Sequence, residues 1–99
     1  MKSKNINVEI EINEHGCPIV EAPERAFASA KFSAASSEWP HDLITIEGNR
    51  AGLRTLARWM LAIADQDSAS DHQQFDNDMG FGFFKSDTDC DLIIQRIEK

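Results

Sequence analysis

The sequence predicts an α+β fold: a mostly antiparallel sheet of about five strands with one amphipathic helix packed on one face. Three observations carry that prediction. Ile6, Val8, Ile10 and Ile12 alternate with polar residues, the period of a half-buried strand. Residues 43–64 read as strand, tight turn and helix in immediate succession. Residues 90–97 form a short apolar run after an acidic turn, the mark of a closing strand. Ninety-nine residues hold one modest core, so residues 1–99 are expected to form a single domain.

In chain order, residues 6–12 form the first strand, with one polar face turned to water. His15 and Gly16 supply a turn, and residues 17–22 return to complete a hairpin. Pro18 places that return strand at an edge or at its own first residue, since proline donates nothing to a ladder. Residues 23–41 are rich in alanine and serine and fit a strand through Phe27 and Phe32, a short helix or an ordered loop. Trp39-Pro40 ends the stretch, because proline pushes its predecessor out of the α region.

Ile44 and Ile46 alternate with Thr45 and Glu47 in a strand whose composition suits the centre of a sheet. Gly48 breaks it and Asn49 caps the helix that follows. Leu53, Leu56, Ala57, Met60, Leu61 and Ala64 then recur at helical spacing as one apolar stripe, widened by Trp59 and Ile63. Arg50, Arg54 and Arg58 form a basic ridge beside it, expected to pair with carboxylates such as Glu47 and Asp65 or to lay their stems along the sheet. Residues 72–78 read as a short strand and residues 79–85 as a turn with aromatic flanks. Leu92, Ile93 and Ile94 are apolar on both faces, which suits a strand inside the sheet.

Charge narrows the function. The net charge is −7. Residues 65–91 carry eight aspartates against one lysine, and residues 50–64 carry three arginines and no acid. An acidic surface of this kind repels nucleic acid and anionic membrane and favours cationic partners. No apolar run is long enough to span a bilayer, and the first residues lack the apolar core of a signal peptide, so a cytoplasmic location is expected. Cys17 and Cys90 lack metal-site spacing and read as small packing residues.

No catalytic set stands out. His72 has Asp71 and Asp76 nearby, which could orient a base, but no nucleophile or oxyanion site accompanies it. Asp87, Asp89, Asp91 and Glu98 have calcium-loop spacing, yet Leu92 replaces the required glycine and the run continues into a strand. The chain is therefore expected to need no metal and no cofactor. What remains is a surface: aspartates around Phe81, Phe83 and Phe84, of which strand alternation turns at least one outward. An aromatic anchor ringed by acids fits protein binding.

Ile46, Gly48, Asn49, Gly52, Leu53, Leu56 and Ala57, followed by His72, Phe75 and Asp76 and then by Leu92, Ile93 and Ile94, form an ordered pattern over residues 43–97. It resembles immunity protein family 32 of bacterial polymorphic toxin systems. Gln74 stands where that pattern has a second histidine, so no role requiring a histidine pair is carried over. The resemblance implies a non-catalytic inhibitor that binds a cognate toxin domain in the cytosol, as a monomer or weak homodimer. The candidate contact residues are Asp71, His72, Asp76, Asp78, Phe81, Phe83, Asp87 and Asp89, aimed at a basic cleft. The competing expectation is a small structural or adaptor module that scaffolds an assembly, self-associating through a sheet edge.

Overall fold

Turn chemistry sets the first hairpin. Asn13 Oδ1 accepts from the backbone N–H groups of His15 (2.9 Å) and Cys17 (3.0 Å), and Gly16 supplies a φ of 80°. The turn joins β1 (Glu11–Ile12) to β2 (Pro18–Ile19). In this computed structural model, which describes residues 1–65, 71–76, 82–85 and 90–98, the chain continues with β3 (Ala28–Ser33), β4 (Leu43–Gly48), α1 (Arg50–Ala64), β5 (His72–Phe75), β6 (Phe84–Lys85) and β7 (Leu92–Gln95).

The fold is α+β with mostly antiparallel pairing, as the sequence predicts. Among the described residues the strands form three small sheets: β1-β2, β4-β3-β6 and β5-β7. The β3–β6 ladder alone is parallel, pairing Ala28 with Phe84 and Ser29 with Lys85. The hairpin is present but short: Ile6, Val8 and Ile10 lie ahead of the two-residue β1 rather than in it. The stretch through Phe27 and Phe32 resolves as a strand, β3, and β3 takes the central place expected for β4. Among the described residues β4 is an edge strand, exposed from Leu43 to Glu47. β7 likewise pairs only with β5 among the described residues, with Leu92 and Ile94 half-buried and Ile93 exposed.

Asn49 holds the strand–helix junction together. Its side-chain oxygen accepts from Gly52 N (2.8 Å), capping α1, and also from Phe27 N (3.0 Å). Its amide nitrogen donates to Arg25 O (2.7 Å), and its backbone N–H donates to Phe27 O (3.0 Å). One side chain thus caps the helix and ties down the segment entering β3, including Arg25 at a φ of 70°. Gly48 and Gly52 permit that approach. A Cβ on Gly52 would overlap Phe27 O and C and lie 2.7 Å from Phe27 N; one on Gly48 would overlap Phe27 O and lie 2.9 Å from Ala28 Cα.

This contact fixes the rotation of α1 and corrects the expected stripe. The buried residues are Gly52, Thr55, Leu56, Trp59, Ala62 and Ile63. Leu53, Met60 and Leu61 are exposed. The seam that faces inward is the one containing the glycine, because the helix must bring Gly52 against the Phe27 backbone. Thr55 is tolerated inside because its hydroxyl donates to Ala51 O (2.8 Å).

The core is Ala28, Ala30, Leu56, Trp59, Phe75, Phe83 and Phe84. Phe75 is its hub, with ring centroids 5.8 Å from Trp59, 6.1 Å from Phe83 and 5.6 Å from Phe84. Such pairs add about 0.5–1.5 kcal/mol each beyond burial. The consecutive Phe83 and Phe84 are both inside, since a two-residue strand imposes no lasting alternation. Cys17 and Cys90 are half-buried, and Cys90 packs on this cluster.

Arg96 secures the other end of the helix. Its Nη1 donates to Ile63 O (3.0 Å) and Asp65 O (2.6 Å). A cation on the last carbonyls satisfies orphan acceptors and complements the helix dipole. Arg96 Nε also lies 2.6 Å from Glu98 Oε1, close as an ion pair but not aligned as a hydrogen bond. Glu47 pairs with Lys31 (2.5 Å) rather than with the arginine ridge, because Lys31 sits on the neighbouring strand next to its cross-strand position.

Candidate partner-binding surface

β5 places the first two candidate residues. Arg96 N donates to Asp71 O (2.8 Å), which anchors the backbone just before β5. The side chains of Asp71 and His72 project into solvent and meet at 2.8 Å between Asp71 Oδ1 and His72 Nδ1. The hydrogen bond from His72 holds the Asp71 carboxyl below its ordinary pKa, assisted by the charges of His72 and Arg96 and opposed by slight desolvation. Asp71 is thus a firmly ionised group on the surface.

The other candidates separate. Asp76, expected beside His72, is only 8% exposed and accepts from Gln74 Nε2 at 3.0 Å. Phe83 is 3% exposed, and its carbonyl accepts from Ala28 N (2.8 Å). The aromatic core takes Phe83 away from any surface role in this conformation, and Asp76 offers a partner little area. Asp78, Phe81, Asp87 and Asp89 lie outside the described residues. The structure therefore brings Asp71 and His72 together at an exposed point and turns Asp76 and Phe83 inward.

Two features escape the sequence reading. An open groove of about 400 Å³ lies between the β1–β2 hairpin and α1, lined among others by Glu9, Glu11, Glu21 and Arg58. Continuing the β1–β2 register two pairs past Glu11 and Ile19 puts Glu9 across from Glu21. Acidic surface is thus present in the first half of the chain too. The second feature is the outward face of α1, where Leu53, Met60 and Leu61 lie beside Arg50 and Arg54. The glycine seam was the available signal: Gly52, Leu56, Trp59 and Ile63 repeat at helical spacing and would have located the true inner face.

Among the described residues the Asp71–His72 pair is open to water and has no nucleophile in hydrogen-bond contact. No group of three His, Cys, Asp or Glu side chains among them is placed to hold a metal ion. No helix of the described residues is long and apolar enough to cross a membrane.

The sequence model of the family described as Immunity protein 32 matches residues 44–97. Comparison with curated proteins and with solved structures finds no match in either. The matched stretch runs from β4 through the Asn49 cap, α1 and the Asp71–His72 pair to Arg96 after β7. It leaves β1, β2 and β3 outside.

Proposed function

Because the chain belongs to the immunity protein 32 family, its role is immunity within a toxin system, and we propose that it performs this role by binding a cognate toxin domain in the cytosol and occluding a basic cleft. The family match carries the reading. Charge supports the mechanism: residues 65–91 hold eight aspartates and one lysine. Clefts that act on nucleic acid or nucleotides are basic, and an acidic inhibitor approaches them under electrostatic steering. Fast association matters for self-protection, because the toxin must be captured before it acts.

Asp71 and His72 stand at the exposed start of β5, and Asp78, Asp87, Asp89 and Phe81 are the further contact residues of this reading, chosen on charge and chemistry. Phe81 replaces Phe83 as the aromatic anchor, since Phe83 is core. The inhibitor acts by occupancy and performs no chemistry on the toxin.

The test is co-expression with the toxin encoded by the adjacent reading frame. The wild-type chain restores growth. A triple reversal, Asp71→Lys with Asp87→Lys and Asp89→Lys, slows association by ten-fold or more and flattens its salt dependence. Full protection and unchanged association by the triple variant would refute the acidic-face assignment. Failure of the wild-type chain to protect against that toxin would refute the pairing itself.

A further inference from the structure

The free edge of β4 has a chemistry of its own. Natural edge strands are kept from pairing by lysines, prolines, bulges or a covering element. β4 has no lysine or proline within residues 43–48, and among the described residues no strand pairs with its outer edge. Ile44 is 69% exposed, and Leu43 and Ile46 are each 40% exposed. Phe32, 52% exposed, lies directly across from Ile44 on β3, and Ala30 lies across from Ile46. The exposed side chains of Phe32, Ile44 and Ile46 therefore form one continuous apolar patch reaching the open edge.

We propose that β4 is a homodimer edge, two copies pairing antiparallel, β4 to β4, about a two-fold axis through Thr45. The strand's own pattern selects a second copy as the occupant, because residues 43–47 are self-complementary about Thr45 and their charge does not oppose pairing. A chain of net charge −7 repels itself over most of its surface. The one charged residue of β4, Glu47, is already paired with Lys31 at 2.5 Å, so this edge is close to neutral. Register follows from the pleat. Residues directly opposite each other share a face, so the apolar face stays continuous only when positions of equal parity meet. With Thr45 on the axis, Ile44 meets Ile46 of the second copy, twice by symmetry. Thr45 meets Thr45, a favourable cross-strand pair, and Glu47 meets Leu43, so no like charges face each other. An axis through Ile46 instead sets Ile44 against Gly48 and keeps only one apolar pair, Ile46 with Ile46, in place of two. The resulting sheet has six strands, ordered β6-β3-β4-β4-β3-β6.

The proposal is independent of toxin binding. Sedimentation equilibrium on the full chain is expected to show a reversible monomer–dimer equilibrium at concentrations up to about 1 mM. Ile44→Lys sits at a well-exposed position and is expected to weaken dimerisation at least ten-fold with an unchanged circular dichroism spectrum. A wild-type chain that stays monomeric throughout, or a dimer that survives Ile44→Lys, overturns the proposal. Register is read separately, in a Cys17→Ser, Cys90→Ser background. Thr45→Cys brings two thiols within disulfide reach across the axis, whereas Leu43→Cys faces Glu47. Oxidised glutathione should cross-link Thr45→Cys at least ten-fold faster than Leu43→Cys; equal rates contradict the register. A wild-type monomer whose toxin binding is lost in Ile44→Lys would assign the edge to the toxin and also overturn the proposal.

Discussion

Gly52→Ala reverses the usual sign of a helix substitution. In an exposed helix, glycine to alanine is stabilising by about 1 kcal/mol. Here the added Cβ would overlap Phe27 O and C, both backbone atoms that cannot rotate away. Relief requires α1 to move off the segment entering β3. That movement breaks the three hydrogen bonds from Asn49 to this segment: Phe27 N to Oδ1, Nδ2 to Arg25 O, and Asn49 N to Phe27 O. At about 1 kcal/mol each, their loss outweighs the propensity gain and leaves a net destabilisation of about 2 kcal/mol. Urea denaturation followed by tryptophan fluorescence measures it, with a midpoint lowered by roughly 1–2 M. Gly82→Ala is the control, because nothing lies within 4 Å of its added Cβ; its midpoint should stay within the equivalent of about 0.5 kcal/mol. A Gly52→Ala variant as stable as the wild type would refute the close-approach account of this junction.

Other outcomes follow from the same structure. Leu56→Ala, at a buried position, should cost about 2–5 kcal/mol, while Leu53→Ala and Met60→Ala, on the outward face, should cost less than about 1 kcal/mol each; equal losses would restore the sequence-based stripe. Ser29 is fully buried and its hydroxyl has no hydrogen-bond partner among the described residues, so Ser29→Ala should be neutral or stabilising by up to about 1 kcal/mol, and a clear loss in thermal denaturation would contradict this. Arg96→Ala should cost about 1–2 kcal/mol and speed amide exchange in the last turn of α1; unchanged exchange there would remove the capping role. The Asp71 carboxyl should titrate by NMR below the ordinary value of about 3.9, and His72→Ala should raise it. The sign follows: a lowered folded-state value stabilises above the unfolded pKa, and the contribution disappears as pH falls through the folded value. An Asp71 midpoint at or above the ordinary value would contradict the pair.

The parts of the fold legible in the sequence are those set by neighbours in the chain. β4, Gly48, Asn49 and α1 form one contiguous stretch, and their types follow from turn and cap chemistry. The rotation of α1 was obscured in the sequence, because Leu53 and Met60 imitate an inward stripe while Gly52, which heads the true seam, looks like a flaw. Only the Phe27 backbone, 25 residues earlier, gives that glycine its purpose. Arg96 reads as a surface charge until β7 carries it to the carbonyls of Ile63 and Asp65. The candidate surface divides the same way. Asp71 and His72 are adjacent in sequence and adjacent in space. Asp76 and Phe83 carry the chemistry of contact residues, but burial is decided by the Phe75 cluster, which no local pattern announces. The exposed edge of β4 was hidden for a related reason: an apolar alternating strand looks central whichever neighbour it lacks.

The central claim is that protection comes from occupancy. Titrating the purified chain against a fixed amount of the adjacent-frame toxin, with residual toxin activity as the readout, tests it most directly. Inhibition should grow in proportion to the chain added, reach completion near equivalence, and not deepen on longer incubation. Complete and time-dependent inactivation by a small fraction of an equivalent would mean turnover, and would contradict the account.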